Sequence, residues 1–109
     1  MGVRVHRVVV RGEFDGLRPE QREALLAEVD EHEIFKAAYT EWGTFTYERP
    51  LTWFHLRYEV RTDADAEDGG PVDPAEVALE RARRQLEEWG IGHKRLRATA
   101  TDMTALWDG

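Results

Sequence analysis

Cysteine is absent from the 109 residues, which excludes disulfides, thiol nucleophiles and thiolate metal sites. Lysine is nearly absent too: Lys36 and Lys94 stand beside thirteen arginines. Positive charge is in deficit overall, with 15 basic against 22 acidic residues and a net charge of −7. That balance argues against binding nucleic acid or an anionic membrane broadly, and it leaves room for a local basic face. No apolar run approaches the ~20 residues that a membrane-spanning helix needs. The opening residues Met1-Gly2-Val3-Arg4-Val5-His6 match neither a secretory signal nor a myristoylation signal, because His6 holds the required Ser/Thr place. The expectation is a cytoplasmic protein. The P-loop, the dinucleotide-binding G-x-G-x-x-G and the hydrolase G-x-S-x-G patterns are missing as well.

What remains suits a soluble globular chain: 41% of residues are apolar and 34% charged, outside the range of disordered sequences. A chain of 109 residues is expected to form one domain over 1–109 and to bury roughly two-thirds of its unfolded surface.

Five valines within Val3–Arg11 read as a first strand. Its two faces compete, and the choice that turns Val8 and Val10 inward keeps Arg7 out of the core. Gly12-Glu13-Phe14-Asp15-Gly16 reads as a turn. Pro19 suits a first helical turn, and Leu17, Ala24, Leu25 and Val29 follow at helical spacing, which predicts a helix over about 19–32. Lys36–Glu48 is β-like, with Gly43 marking a bulge or bend. Glu48-Arg49-Pro50 reads as a hairpin connection into the clearest strand, Leu51–Thr62. Asp63–Val72 is acidic and glycine-rich, a mobile surface loop by composition. Asp73-Pro74-Ala75-Glu76 opens a second helix with an N-cap and a first-turn proline. Ala75, Ala78, Leu79, Ala82, Leu86 and Trp89 form its stripe, and Gly90 ends it. His93–Met103 is a last strand, followed by a short tail, 104–109, carrying Trp107.

Strand, helix, strand, strand, helix, strand is the βαββαβ order of the ferredoxin-like α+β sandwich. Its four-stranded antiparallel sheet carries two helices on one face and leaves the other open. The open face is the place to look for chemistry. The third strand sends Trp53, His55, Arg57 and Glu59 there, the fourth Arg95, Arg97 and Thr99, the second Thr44 and Thr46. With Val8 and Val10 inward, Arg7 and Arg11 join them. Arginine offers fork-shaped donors suited to carboxylate or phosphate, and Trp53 offers a plane for stacking. Trp53, His55, Arg57, Arg97 and Arg7 are therefore the candidate binding residues for a small anionic or aromatic ligand. A homodimer that packs open face on open face would enclose such a ligand, and alternating Arg and Glu can equally form plain cross-strand pairs.

Three functional readings follow. In the first, the face binds a small anion. In the second, the protein is a cofactor-independent enzyme with His55 as acid or base. In the third, the same face binds protein and takes no ligand. No cofactor is expected. No metal site is expected either: His6, His32, His55 and His93 lack H-x-x-x-H spacing, and the run Asp30-Glu31-His32-Glu33 reads as a solvated helix end. Asp15 reads as a turn former, and Asp63, Asp65, Glu67 and Asp68 lack the EF-hand spacing. RNA-recognition domains share the element order, but their paired sheet aromatics are missing here.

Arg11-Gly12, Phe14-Asp15-Gly16-Leu17, Glu20-Gln21-Arg22, Glu31-His32, Gly43-Thr44-Phe45-Thr46-Tyr47 and Ala100-Thr101-Asp102-Met103 resemble a family of short actinobacterial proteins of unknown function with a ferredoxin-like fold. The resemblance covers nearly the whole chain. It implies an actinobacterial, cytoplasmic protein and carries over no catalytic residue. Where such proteins would place a capping Ser or Asp before Pro19, this chain has Arg18, which weakens the expected helix start.

Overall fold

The computed structural model describes residues 3–32, 38–63 and 73–103. The elements are β1 (Val3–Phe14), α1 (Pro19–Ala27), a 3-10 turn (Val29–His32), β2 (Thr44–Tyr47), β3 (Trp53–Asp63), α2 (Pro74–Trp89) and β4 (His93–Asp102). The strands form one antiparallel sheet in the order β2-β3-β1-β4, which is the expected ferredoxin-like α+β arrangement.

The competition on the first strand is decided by its neighbours. Val8 lies opposite Tyr58 and Val10 opposite Leu56, and all four side chains are fully buried. Only this parity aligns apolar residues of the two central strands on one face. Phe54 and Val60 of β3 and Ala78, Ala82 and Leu86 of α2 complete the layer. Burying each large side chain of this set contributes about 1.5–3 kcal/mol, so the two central strands and α2 hold most of the stability.

α2 follows its sequence signals closely. Asp73 accepts a hydrogen bond from the Ala75 amide at 3.0 Å. Gly90 closes the helix at φ +69°, and the Ile91 amide returns to the Leu86 carbonyl at 2.9 Å, so the last orphan carbonyls are satisfied.

Elsewhere the ladder overrides local signals. Gly12-Glu13-Phe14, expected as turn, continues β1, and only Asp15 and Gly16 reverse the chain. Phe14 explains the extension, because it packs edge-on against Phe45 and Tyr47 and lies tilted against Phe54 at 5.0 Å. Gly12 makes room for this, since a Cβ there would stand 2.6 Å from the Phe54 ring. The register against β4 shifts between Arg11 and Glu13, with Arg95 at φ +54°. β4 therefore carries a bulge opposite Gly12, and Arg95 reaches Glu13 on the open side at 2.6 Å.

α1 is shorter than its spacing predicts. It ends at Ala27, buries no residue and turns Ala24 outward, so Ala24 does not belong to the apolar stripe. Leu17 and Leu25 pack on the core, and the Tyr47 hydroxyl donates to the Leu25 carbonyl at 2.6 Å. Arg18 has no acceptor to offer the helix start. Gln21 supplies half of a capping box instead, accepting from the Arg18 amide at 3.0 Å. The Gln21 amide group also donates to the Gly90 carbonyl at 2.7 Å, which ties the start of α1 to the end of α2.

Of Lys36–Glu48, only Thr44–Tyr47 is strand, with Thr40 adding one parallel bridge to Tyr58. Gly43 sits at φ +90° over the Tyr58 ring. Burial pushes the Tyr58 phenol up to about 12, and its hydroxyl donates to Gln85. The acidic stretch after Asp63 and the tail with Trp107 lie outside the described residues, as does Lys36.

Candidate functional site

The side of the sheet away from the helices is built by register. Arg11 of β1 lies opposite His55 of β3 on one side and opposite Arg97 of β4 on the other. Val9 lies between Arg57 and Thr99, and Arg7 between Glu59 and Thr101. Directly opposed residues have Cβ atoms about 4.5–5.5 Å apart, so Arg11, His55 and Arg97 form a row across three strands. Arg57 stands diagonal to Arg11, one step along.

The strand carboxylates on this face, Glu13 and Glu59, are already engaged. Glu13 accepts from Arg95 at 2.6 Å, and Glu59 pairs with Arg61 at 3.5 Å. Arg7, Arg11, Arg57 and Arg97 have no carboxylate partner among the described residues. Two of them rest on aromatic rings instead. The Arg11 guanidinium lies 3.9 Å from the Trp53 ring centroid, and that of Arg7 lies 5.0 Å from the Tyr39 centroid. Arg57 donates to the Thr46 hydroxyl at 2.5 Å, which leaves most of its five N–H donors free. Arg11 opposite Arg97 is a like-charge pair, an arrangement that destabilises a sheet unless an anion offsets it.

His55 has its pKa lowered from 6.5, first by burial and then by the guanidinium charges of Arg57 and Arg11. The imidazole is neutral at pH 7, able to donate and accept hydrogen bonds and to take a proton. It adds no charge to the arginine cluster.

A half-open cavity of about 360 Å³ adjoins this row at the β2–β3 hairpin. Its polar wall is Arg11, Thr46, Glu48 and His55, its apolar wall is Pro50, Leu51 and Trp53, and the Glu48 charge acts on His55 against the two arginines. Leu51 is held at φ +52° by a tight turn in which its amide donates to the Glu48 carbonyl at 3.0 Å. That turn tucks Leu51 inward, and its residue is only 4% exposed.

The structure thus brings Trp53, His55, Arg57 and Arg97 together around Arg11, with Arg7 toward the other end of the strand. One face of Trp53 already carries Arg11, so a ligand meets the tryptophan together with that guanidinium. Thr46 and Leu51 line the cavity without having been expected there as pocket residues. Strand alternation put Thr46 on the open face, but no periodicity signals the turn that places Leu51. Tyr39 under Arg7 has no sequence signal at all.

The remaining titratable groups are dispersed. His6 Nε2 lies 3.3 Å from the Thr62 hydroxyl, and His93 Nδ1 lies 3.2 Å from the Ile91 carbonyl. Asp15 lies 4.0 Å from Lys94, and Asp30 pairs with Arg49 at 3.6 Å. Among the described residues no group of three or more His, Asp or Glu is placed to hold a metal ion. No described helix is long and apolar enough to cross a membrane.

An α+β sheet with one arginine-rich face defines the class of molecule. The chain belongs to the family of unknown function DUF6204, whose match spans residues 1–107. A search of the curated proteins found no match, and neither did a search of the solved structures.

Proposed function

We propose that the protein is a cytoplasmic small-molecule-binding protein whose open sheet face holds an anionic ligand, within a homodimer that encloses it. The observation that carries this reading is the set Arg7, Arg11, Arg57 and Arg97, which has no carboxylate partner among the described residues of a chain of net charge −7. Unpaired arginines on adjacent strands repel one another, and a bound anion relieves that repulsion through charge-assisted, bidentate hydrogen bonds. Native mass spectrometry of the purified protein, before and after denaturation, tests it. The expected result is a dimer carrying extra non-covalent mass, reduced in the Arg57→Ala and Arg97→Ala variants. Adduct mass that is unchanged in both variants would overturn the reading.

A second reading has its own observation. His55 is half-buried, neutral and on the wall of a cavity of about 360 Å³, a volume within the range of small-molecule sites. There it can act as a general base in a cofactor-independent reaction. Full turnover by His55→Ala on the substrate identified by the bound mass would remove it from that role.

A further inference from the structure

Resting on that reading, we infer that the ligand is an aromatic phosphate monoester. Its phosphate sits among Arg11, Arg57 and Arg97, and its ring lies in the hairpin cavity between Trp53 and Leu51.

The charge arithmetic selects the head group. Arg11 and Arg97 face each other directly across β1 and β4, and Arg57 is diagonal to Arg11 through the β1–β3 register. A single carboxylate neutralises one of these cations and leaves the facing pair repelling. A phosphate monoester carries nearly two negative charges at neutral pH, with its second pKa near about 6. Its three terminal oxygens can accept from two or three guanidinium forks at once. Thr46 takes one Arg57 donor, which turns that guanidinium toward β2 beside His55 and the cavity.

The cavity selects the body and its direction. It is lined by Arg11, Thr46 and His55 on its polar side and by Trp53, Pro50 and Leu51 on its apolar side. The apolar wall of Pro50, Leu51 and Trp53 takes the uncharged part, so the phosphate lies at the arginine row and the ring lies toward the hairpin. The neutral His55, opposite Arg11, offers a hydrogen bond to the bridging ester oxygen without competing for the phosphate charge.

Calorimetric titration of the intact protein with phenyl phosphate, benzoate and inorganic phosphate tests the inference. Phenyl phosphate is expected to bind about tenfold more tightly than either of the others, the gain from one further charge-assisted contact on one side and ring burial on the other. Arg97→Gln should reduce that preference over benzoate; the Arg97 side chain is exposed and makes no ion pair with a described residue, so folding is expected to persist and is checked by circular dichroism. Phenyl phosphate binding to His55→Gln, where no imidazole protonates beside the ester, should also weaken as the pH falls below about 6 and the ester loses its second charge. Benzoate binding as tightly as phenyl phosphate would overturn the dianionic head group and leave the anion-binding reading standing. Inorganic phosphate binding as tightly as phenyl phosphate would overturn the place of the ring in the cavity. Failure of all three probes to bind would overturn both the inference and the reading beneath it.

Discussion

His55 is the residue on which pH acts most directly. Burial and two neighbouring guanidinium groups hold its pKa below 6.5, so the unfolded chain takes up a proton more readily than the folded one. The sign follows from linkage: stability is fully present above pH 6.5 and falls as the pH drops below it, toward the folded pKa. Urea unfolding at pH 7.5 and at pH 5.5 should show a larger loss for the native protein than for His55→Gln, and the imidazole proton should titrate by NMR with a midpoint below 6.5. Gly43 answers to sterics. At φ +90°, where a Cβ would stand 2.5 Å from the Tyr58 ring, Gly43→Ala meets both a strained backbone and a clash with a buried aromatic. A loss of at least about 1–3 kcal/mol is expected in denaturant titrations. Neither effect can be read from composition, because each depends on which ring or charge the fold brings close.

α1 and α2 differ sharply as elements. α2 has a side-chain N-cap, a glycine C-cap and three fully buried residues, Ala78, Ala82 and Leu86. α1 spans nine residues, buries none, and starts at an arginine that cannot cap it. Helices this short are unstable alone and depend on what they touch. Here the links are Leu17 and Leu25 on the core, the Tyr47 hydroxyl and Gln21. Amide hydrogen exchange should therefore be faster through α1 than through α2. Gln21→Ala, which removes both the cap to Arg18 and the bond to Gly90, should accelerate α1 further while leaving the β1 and β3 amides protected. An unchanged α1 in that variant would mean that Leu25 and Tyr47 alone hold the helix. The N-cap of α2 offers the complementary test, with Asp73→Ala expected to cost about 1 kcal/mol.

For the whole molecule, the decisive feature is charge of one sign gathered against the net charge. A dimer that packs one open face on its copy would bring two arginine rows together, and the repulsion opposes assembly unless an anion lies between. The proposed dimer should therefore depend on the anion. In sedimentation velocity at equal ionic strength, phosphate buffer should raise the dimer fraction above that in chloride, and Arg97→Gln should weaken the phosphate effect. A dimer fraction equal in both buffers would indicate contacts elsewhere, with the exposed Trp42 and Trp89 the first surfaces to probe.

Much of this protein was legible in its residues. The alternation of Phe54, Leu56, Tyr58 and Val60, the Asp73-Pro74 start and the Gly90 stop are local statements about periodicity and caps. They led directly to β3, to α2 and, with the element order, to the ferredoxin-like sheet. The same alternation puts Arg57, His55 and Trp53 on the open face. What the residues left open was what lies beside what. Val8 and Val10 turn inward because Tyr58 and Leu56 wait opposite them. Phe14 extends β1 through an apparent turn because three aromatic rings surround it. Arg11 becomes the centre of the site because register sets it between His55 and Arg97. Periodicity is a property of one segment, whereas register, bulges and the stacking of Arg11 on Trp53 arise only when separate segments meet. The chain by itself determined the elements and the chemistry of each face; the tertiary structure decided which of those side chains share a site.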